Sequence, residues 1–180
     1  MRTPGRIAAW VCAGLLLASA SLSAQGGARS PSSASWAARV SYVVDGDSIW
    51  VRSAAEQRRV RLRLEGIDAP EICQRFGLQA RQALQALLRD PRVRVTVRAR
   101  DRYGRAIAQV TRLSDGADVA ARMVSQGWAW SEGFRGRPGK YQREQDAARR
   151  QRRGLFADGA PQLPVDFRHR HGPCARPERK

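Results

Sequence analysis

The chain has 180 residues, with 33 lysines and arginines against 16 aspartates and glutamates, a net charge of +17 and a pI near 11.6. That length suits one domain with one core, the lack of internal repeats excludes a solenoid, and the complete lack of asparagine excludes N-glycosylation. The charge favours polyanions, which release counterions on binding a cationic surface, but an arginine-rich solvated surface would show the same balance, so motifs must carry any functional argument.

Residues 1–24 begin with Arg2 and Arg6, continue through an apolar run from Ile7 to Leu17 and end in small residues, the make-up of a secretory signal peptide. The run is well short of the roughly 20 residues of a membrane span. The expectation is an exported protein, periplasmic or secreted, with a net charge of +15 once those two arginines are removed. Export also removes Cys12 and leaves Cys73 and Cys174 in an oxidising compartment, which predicts a disulfide between them. Closing so long a loop contributes roughly 4 to 5 kcal/mol in the chain-entropy model.

Residues 25–36, rich in glycine, serine and alanine, read as a flexible leader. Strands are predicted at Ala37 to Val44, Ser48 to Arg52 and Arg58 to Leu64. In the third, Val60, Leu62 and Leu64 alternate with Arg59, Arg61 and Arg63, so one face is core and the other basic. Gly77 to Leu88 carries an apolar stripe at helical spacing and is stopped by Asp90-Pro91. Alternation returns in Arg92 to Arg100, with Val93, Val95, Val97 and Ala99 on one face, and a turn around Tyr103-Gly104 leads into a strand from Arg105 to Leu113. Helices follow from the N-cap Asp118 to Gln126 and from Lys140 to Arg153, each ending at a glycine. Residues 158–180 read as a Pro- and Arg-rich tail. The sum is an α+β, mainly β domain over residues 37–157: a five-stranded barrel of the oligonucleotide-binding type with three helices.

Three turns carry the chemistry. Asp45-Gly46-Asp47-Ser48 is a tight acidic turn; Arg63-Leu64-Glu65-Gly66-Ile67-Asp68-Ala69-Pro70-Glu71 sets an arginine and two acids around a proline corner; Asp101-Arg102-Tyr103-Gly104-Arg105 ends in another arginine. Hydrolysing a phosphodiester requires charge neutralisation and an activated water. Asp47 and Asp68 offer oxygen ligands to a hard cation such as Ca2+ or Mg2+, Arg63 and Arg105 offer two-pronged grips on phosphate, and Glu71 remains to deprotonate the water. Pro70 restricts its own backbone and that of Ala69, which pins Asp68 relative to Glu71. Arg61 shares a strand face with Arg63, so spacing leaves open which of the two meets the phosphate.

Carrying these three motifs in this order, the chain resembles the staphylococcal nuclease (thermonuclease) family over about residues 37 to 157. The resemblance implies an oligonucleotide-binding fold and an exported endonuclease that hydrolyses single- and double-stranded DNA and RNA with little sequence specificity, leaving 3′-phosphate ends. It implies Ca2+, replaceable by other divalent cations, held by Asp47, Asp68 and the carbonyl of Ala69 with Asp45 behind them. Arg63, Arg105 and Glu71 would be catalytic, Arg102 and Tyr103 would contact a neighbouring phosphate, and the protein would act as a monomer. The resemblance supplies no clear counterpart for a base-stacking aromatic pair; Trp128, Trp130 and Phe134 lie nearby in sequence, and Trp128 and Trp130 could either stack bases or pack between the last helices and the barrel. The competing reading is a noncatalytic nucleic-acid-binding barrel module, which would have no need of carboxylates beside phosphate.

Overall fold

The computed structural model describes residues 35–53, 58–133 and 135–174. The expected signal peptide, nearly all of the leader, and Phe134 lie outside the described residues. Alternating apolar residues build strands Ser35–Val43 (β1), Ser48–Ser53 (β2), Arg59–Leu64 (β3), Arg92–Arg100 (β5) and Ala106–Arg112 (β6), which close into a barrel in the order β1-β2-β3-β6-β5. The β3–β6 pair is parallel and the others are antiparallel, with Leu62 beside Ala106 and Arg63 beside Ile107. Ile49, Val51, Leu62, Leu64, Val93 and Val95 point inward and are fully buried, each contributing roughly 1.5 to 3 kcal/mol relative to exposure.

Closure bends two strands. The register shifts between Val40 and Tyr42 in β1 and between Val97 and Ala99 in β5, the irregularities by which a flat ladder curls into a barrel. The second shift corrects the expected alternation of Val93, Val95, Val97 and Ala99: Val97 still packs, half-buried, against the core, but past the shift Ala99 is exposed.

Helices Gly77–Leu87 (α1), Val119–Ser125 (α2) and Gln142–Arg150 (α3) pack beside the barrel. Asp118 caps α2 by accepting hydrogen bonds from the backbone N–H of Ala120 and Ala121, and its other oxygen accepts from the hydroxyl of Tyr141 at 2.9 Å. A short sheet pairs Ile67–Asp68 (β4) with Trp130–Ser131 (β7). Trp130 is buried and meets Phe156 edge to face, while Trp128 is half-buried and packs against the main core, the packing alternative of the two open for these rings.

The helix count needs correction. Pro164–His171 forms a fourth α-helix (α4) inside what composition reads as a tail. Proline is suited to the first helical turn, but the segment buries little apolar surface, with Pro164 as its buried residue, so amphipathic periodicity gave no sign of it. What holds α4 is polar and covalent: Cys73 and Cys174 are joined by a disulfide, with Cα atoms 5.7 Å apart.

Candidate active site

The three turns meet in one cleft of about 870 Å³. The acidic turn joins β1 to β2 and is anchored by Val44 N–H donating to the carbonyl of Ser48 and by Leu64 N–H donating to that of Asp47, both at 2.8 Å. Gly46 allows its approach: a Cβ there would lie 2.7 Å from Cβ of Ala69 and 2.9 Å from that of Ala80. Asp47, 7% exposed, accepts from the Ser48 hydroxyl at 2.9 Å and from Ala69 N–H at 3.2 Å. Asp45 accepts from Asp47 N–H at 3.0 Å. Burial, reinforced by the neighbouring charge of Asp47, pushes the Asp45 carboxyl up to about 8.

Arg63 stands at the end of β3, opposite Ser48. Its Nη2 lies 3.0 Å from Asp68 and 3.7 Å from Asp47, and its Nη1 lies 3.0 Å from Glu132. Burial opposes the charge on Arg63, but those three carboxylates outweigh it and hold the guanidinium protonated more firmly than usual. Arg61 lines the same cleft, two residues back along the strand face, and its buried Nε has no hydrogen-bond partner.

Asp68 reaches the cleft on β4, just before the Ala69-Pro70 corner. Burial raises its carboxyl, opposed by hydrogen bonds and charge from Arg168 and by the charge of Arg63. Glu71 follows the corner. The helix after it abuts its backbone closely: a Cβ at Gly77 would lie 2.0 Å from the carbonyl oxygen of Glu71, which makes glycine the residue that lets α1 begin there. On the third turn, Asp101 clamps Arg105 through Nε at 2.7 Å and through the backbone N–H at 3.0 Å. Arg105 Nη1 also reaches the Ser48 hydroxyl at 3.4 Å. Ser48 thereby links the Arg105 turn to Asp47. Tyr103 is exposed, with the Arg102 guanidinium 4.9 Å from its ring centre.

The structure thus brings Asp47, Arg63, Asp68, Ala69, Glu71, Arg102, Tyr103 and Arg105 to one cleft. It also places there Arg168, whose Nη1 donates to Glu71 at 2.8 Å and whose guanidinium pairs with both oxygens of Asp68. Sequence reasoning missed Arg168: it lies 97 residues from Glu71, and no motif marks it. Glu132 was missed for the same reason, while Ser48 and Asp101 lie within the quoted turns and were legible as parts of them.

Asp47 and Asp68 converge on a single positive atom, Arg63 Nη2, with Asp45 behind them, accepting from Asp47 N–H. Such a set of crowded oxygens fits a hard cation. Among the described residues no group of three or more histidine, cysteine, aspartate or glutamate side chains is arranged as a metal cage, so two carboxylates would have to be supplemented by backbone and water oxygens, as hard cations accept. His169 borders the cleft, as does Cys174, which is engaged in the disulfide.

A family model described as staphylococcal nuclease homologue matches residues 61–158. The chain is 39% identical over 132 residues to an uncharacterized endonuclease of Escherichia coli, covering 73% of this chain and 84% of the relative. It is 37% identical over 151 residues to a micrococcal nuclease of Shigella flexneri, covering 77% and 83%, and 40% identical over 139 residues to Protein ParB of Escherichia coli, covering 72% and 77%.

Proposed function

This chain belongs to the staphylococcal nuclease family, and from that premise we propose that its cleft is the active site of a Ca2+-dependent endonuclease acting on DNA, single- or double-stranded, and on RNA. That it is a phosphodiester hydrolase follows from the family. The observation that supports the finer reading is the convergence of Asp47 and Asp68 on Arg63, with Glu71 and Arg105 in the same cleft. Export, action as a monomer and weak sequence preference belong to the same proposal; among the described residues no helix is long and apolar enough to cross a membrane.

Asp47 and Asp68 would hold the cation, with the carbonyl of Ala69 as a further ligand and Asp45 supporting from behind. When bound, a hard divalent cation supplies charge neutralisation at the phosphate and lowers the pKa of a coordinated water. Arg63, fixed by three carboxylates, presents its guanidinium to the scissile phosphate without having to be ordered by it, and Arg105, clamped by Asp101, does the same from the facing turn. Such preorganised donors act where charge develops in the transition state. Glu71 takes the proton of the attacking water. Arg102 and the exposed Tyr103 grip the adjacent phosphate and set the direction in which the strand lies. Water then attacks in line opposite the 5′ oxygen.

The products are accordingly 3′-phosphate and 5′-hydroxyl ends from both DNA and RNA, with no cyclic phosphate from RNA. End-labelling of the fragments tests this, and predominantly 5′-phosphate termini would overturn the assigned polarity. The arginine left open by the strand alternation is also testable. Arg63→Ala is expected to lower kcat by at least about 10²-fold, and Arg61→Ala by far less, because Arg63 is the one in contact with Asp47 and Asp68. A larger loss for Arg61→Ala in steady-state assays would reverse the roles.

A further inference from the structure

The segment from Asp158 onward lies, past that first residue, beyond the part of the chain that matches the family model, yet it is fastened to the loop carrying Glu71 at several points. Arg75 pairs with Asp158. The buried Gln74 donates from its side-chain amide to the carbonyl of Gln162 at 2.7 Å, while its own oxygen accepts from Glu71 N–H at 3.2 Å. Cys73 is bonded to Cys174. Between these tethers runs α4, and from it Arg168 turns back into the cleft, donating to Glu71 Oε1 at 2.8 Å and to the two oxygens of Asp68 at 3.2 and 3.1 Å.

We propose that Arg168 is a positioning residue for the hydrolysis, delivered by this tethered strap to orient the carboxylate of Glu71 toward the attacking water; the proposal deepens the nuclease reading and rests on Glu71 being its base. A glutamate has three side-chain torsions, and a base must be within hydrogen-bond reach of the proton it removes. Among the described residues, the hydrogen bond recorded to the Glu71 carboxylate comes from Arg168. One planar guanidinium holding both carboxylates also fixes the separation of Glu71 from Asp68, a constraint that a point charge such as lysine does not impose. The strap has little apolar surface of its own to hold it down, since Pro164 is the buried residue of α4. Its tethers therefore aim Arg168, the disulfide above all.

The test is a double-mutant cycle on the full chain: kcat, KM, and affinity for a phosphorothioate oligonucleotide measured by anisotropy, for the wild type, Arg168→Ala, Glu71→Ala and the double variant. Arg168→Ala is expected to lower kcat by about 10- to 100-fold, with KM and oligonucleotide affinity within about twofold. In the Glu71→Ala background the same change should alter kcat by less than about twofold, because a residue acting through Glu71 has nothing left to orient. Cys73→Ser with Cys174→Ser should reproduce about three- to tenfold of the loss and add nothing to Arg168→Ala. Should Arg168→Ala fail to fold, Arg168→Lys carries the same cycle with an expected loss of about three- to tenfold. An unchanged or increased kcat, a full multiplicative loss on top of Glu71→Ala, or weakened oligonucleotide binding would each overturn the proposal. If Glu71→Ala itself keeps near-normal kcat, it is the assignment of the base that has failed, a result distinct from a Glu71-dependent enzyme indifferent to Arg168.

Discussion

In a chelator that removes divalent cations, cleavage of DNA and RNA by this protein is expected to fall to background, and Ca2+ is expected to restore it. The reason lies in the crowding of Asp45, Asp47 and Asp68. Burial, reinforced by the neighbouring charge of Asp47, pushes the Asp45 carboxyl up to about 8, so negative charge in this corner is costly without a cation. The guanidiniums of Arg63 and Arg168 offset part of that charge at Asp68, but neither can lower the pKa of a water as a cation does. A second readout separates binding from catalysis. A cation that binds only the folded state stabilises it, by about 2.7 kcal/mol at a concentration 100 times its Kd, so the melting temperature should rise with Ca2+ even without substrate. Full activity in chelator would remove the proposed role of Asp47 and Asp68.

Glu71→Ala and Arg105→Ala are each expected to lower kcat by at least about 10²-fold, the loss typical when a base or a transition-state donor is deleted. Neither change removes core: Glu71 is in the cleft, and Arg105 is bound to Asp101 and the Ser48 hydroxyl. Thermal unfolding should therefore remain cooperative and shift little. The double variant should lose less than the product of the two single effects, because both residues act on one transition state. A variant that keeps most of its kcat while losing substrate affinity would reassign that residue from catalysis to binding.

The aromatic signals show where linear reasoning stops. Trp130 has the flat ring that base stacking needs, but the fold uses it against Phe156, and burial of a ring is decided by neighbours from remote segments. The helix α4 escaped notice for a related reason: its eight residues carry little apolar periodicity, so its conformation depends on tethers and not on an amphipathic face.

What the sequence determined by itself is the barrel and the three turns. Alternation in Arg59–Leu64 and Arg92–Val95 encodes which side faces the core, because the side-chain period of a strand is two. The Pro70 corner and the Asp118 cap are likewise local, written by torsional restriction and side-chain hydrogen bonding within a few residues. Tertiary structure alone decided that β3 pairs with β6, which carries the Arg105 turn to the same cleft as Arg63. It placed Arg63 beside the carboxylates of Asp47 and Asp68 at the strand's end, while Arg61, on the same strand face, lines the cleft. It also brought Arg168 to Glu71. Charge pairing acts over a few ångströms in space with no regard for separation along the chain, so a guanidinium 97 residues downstream becomes legible only when a disulfide and a buried glutamine have folded its segment back.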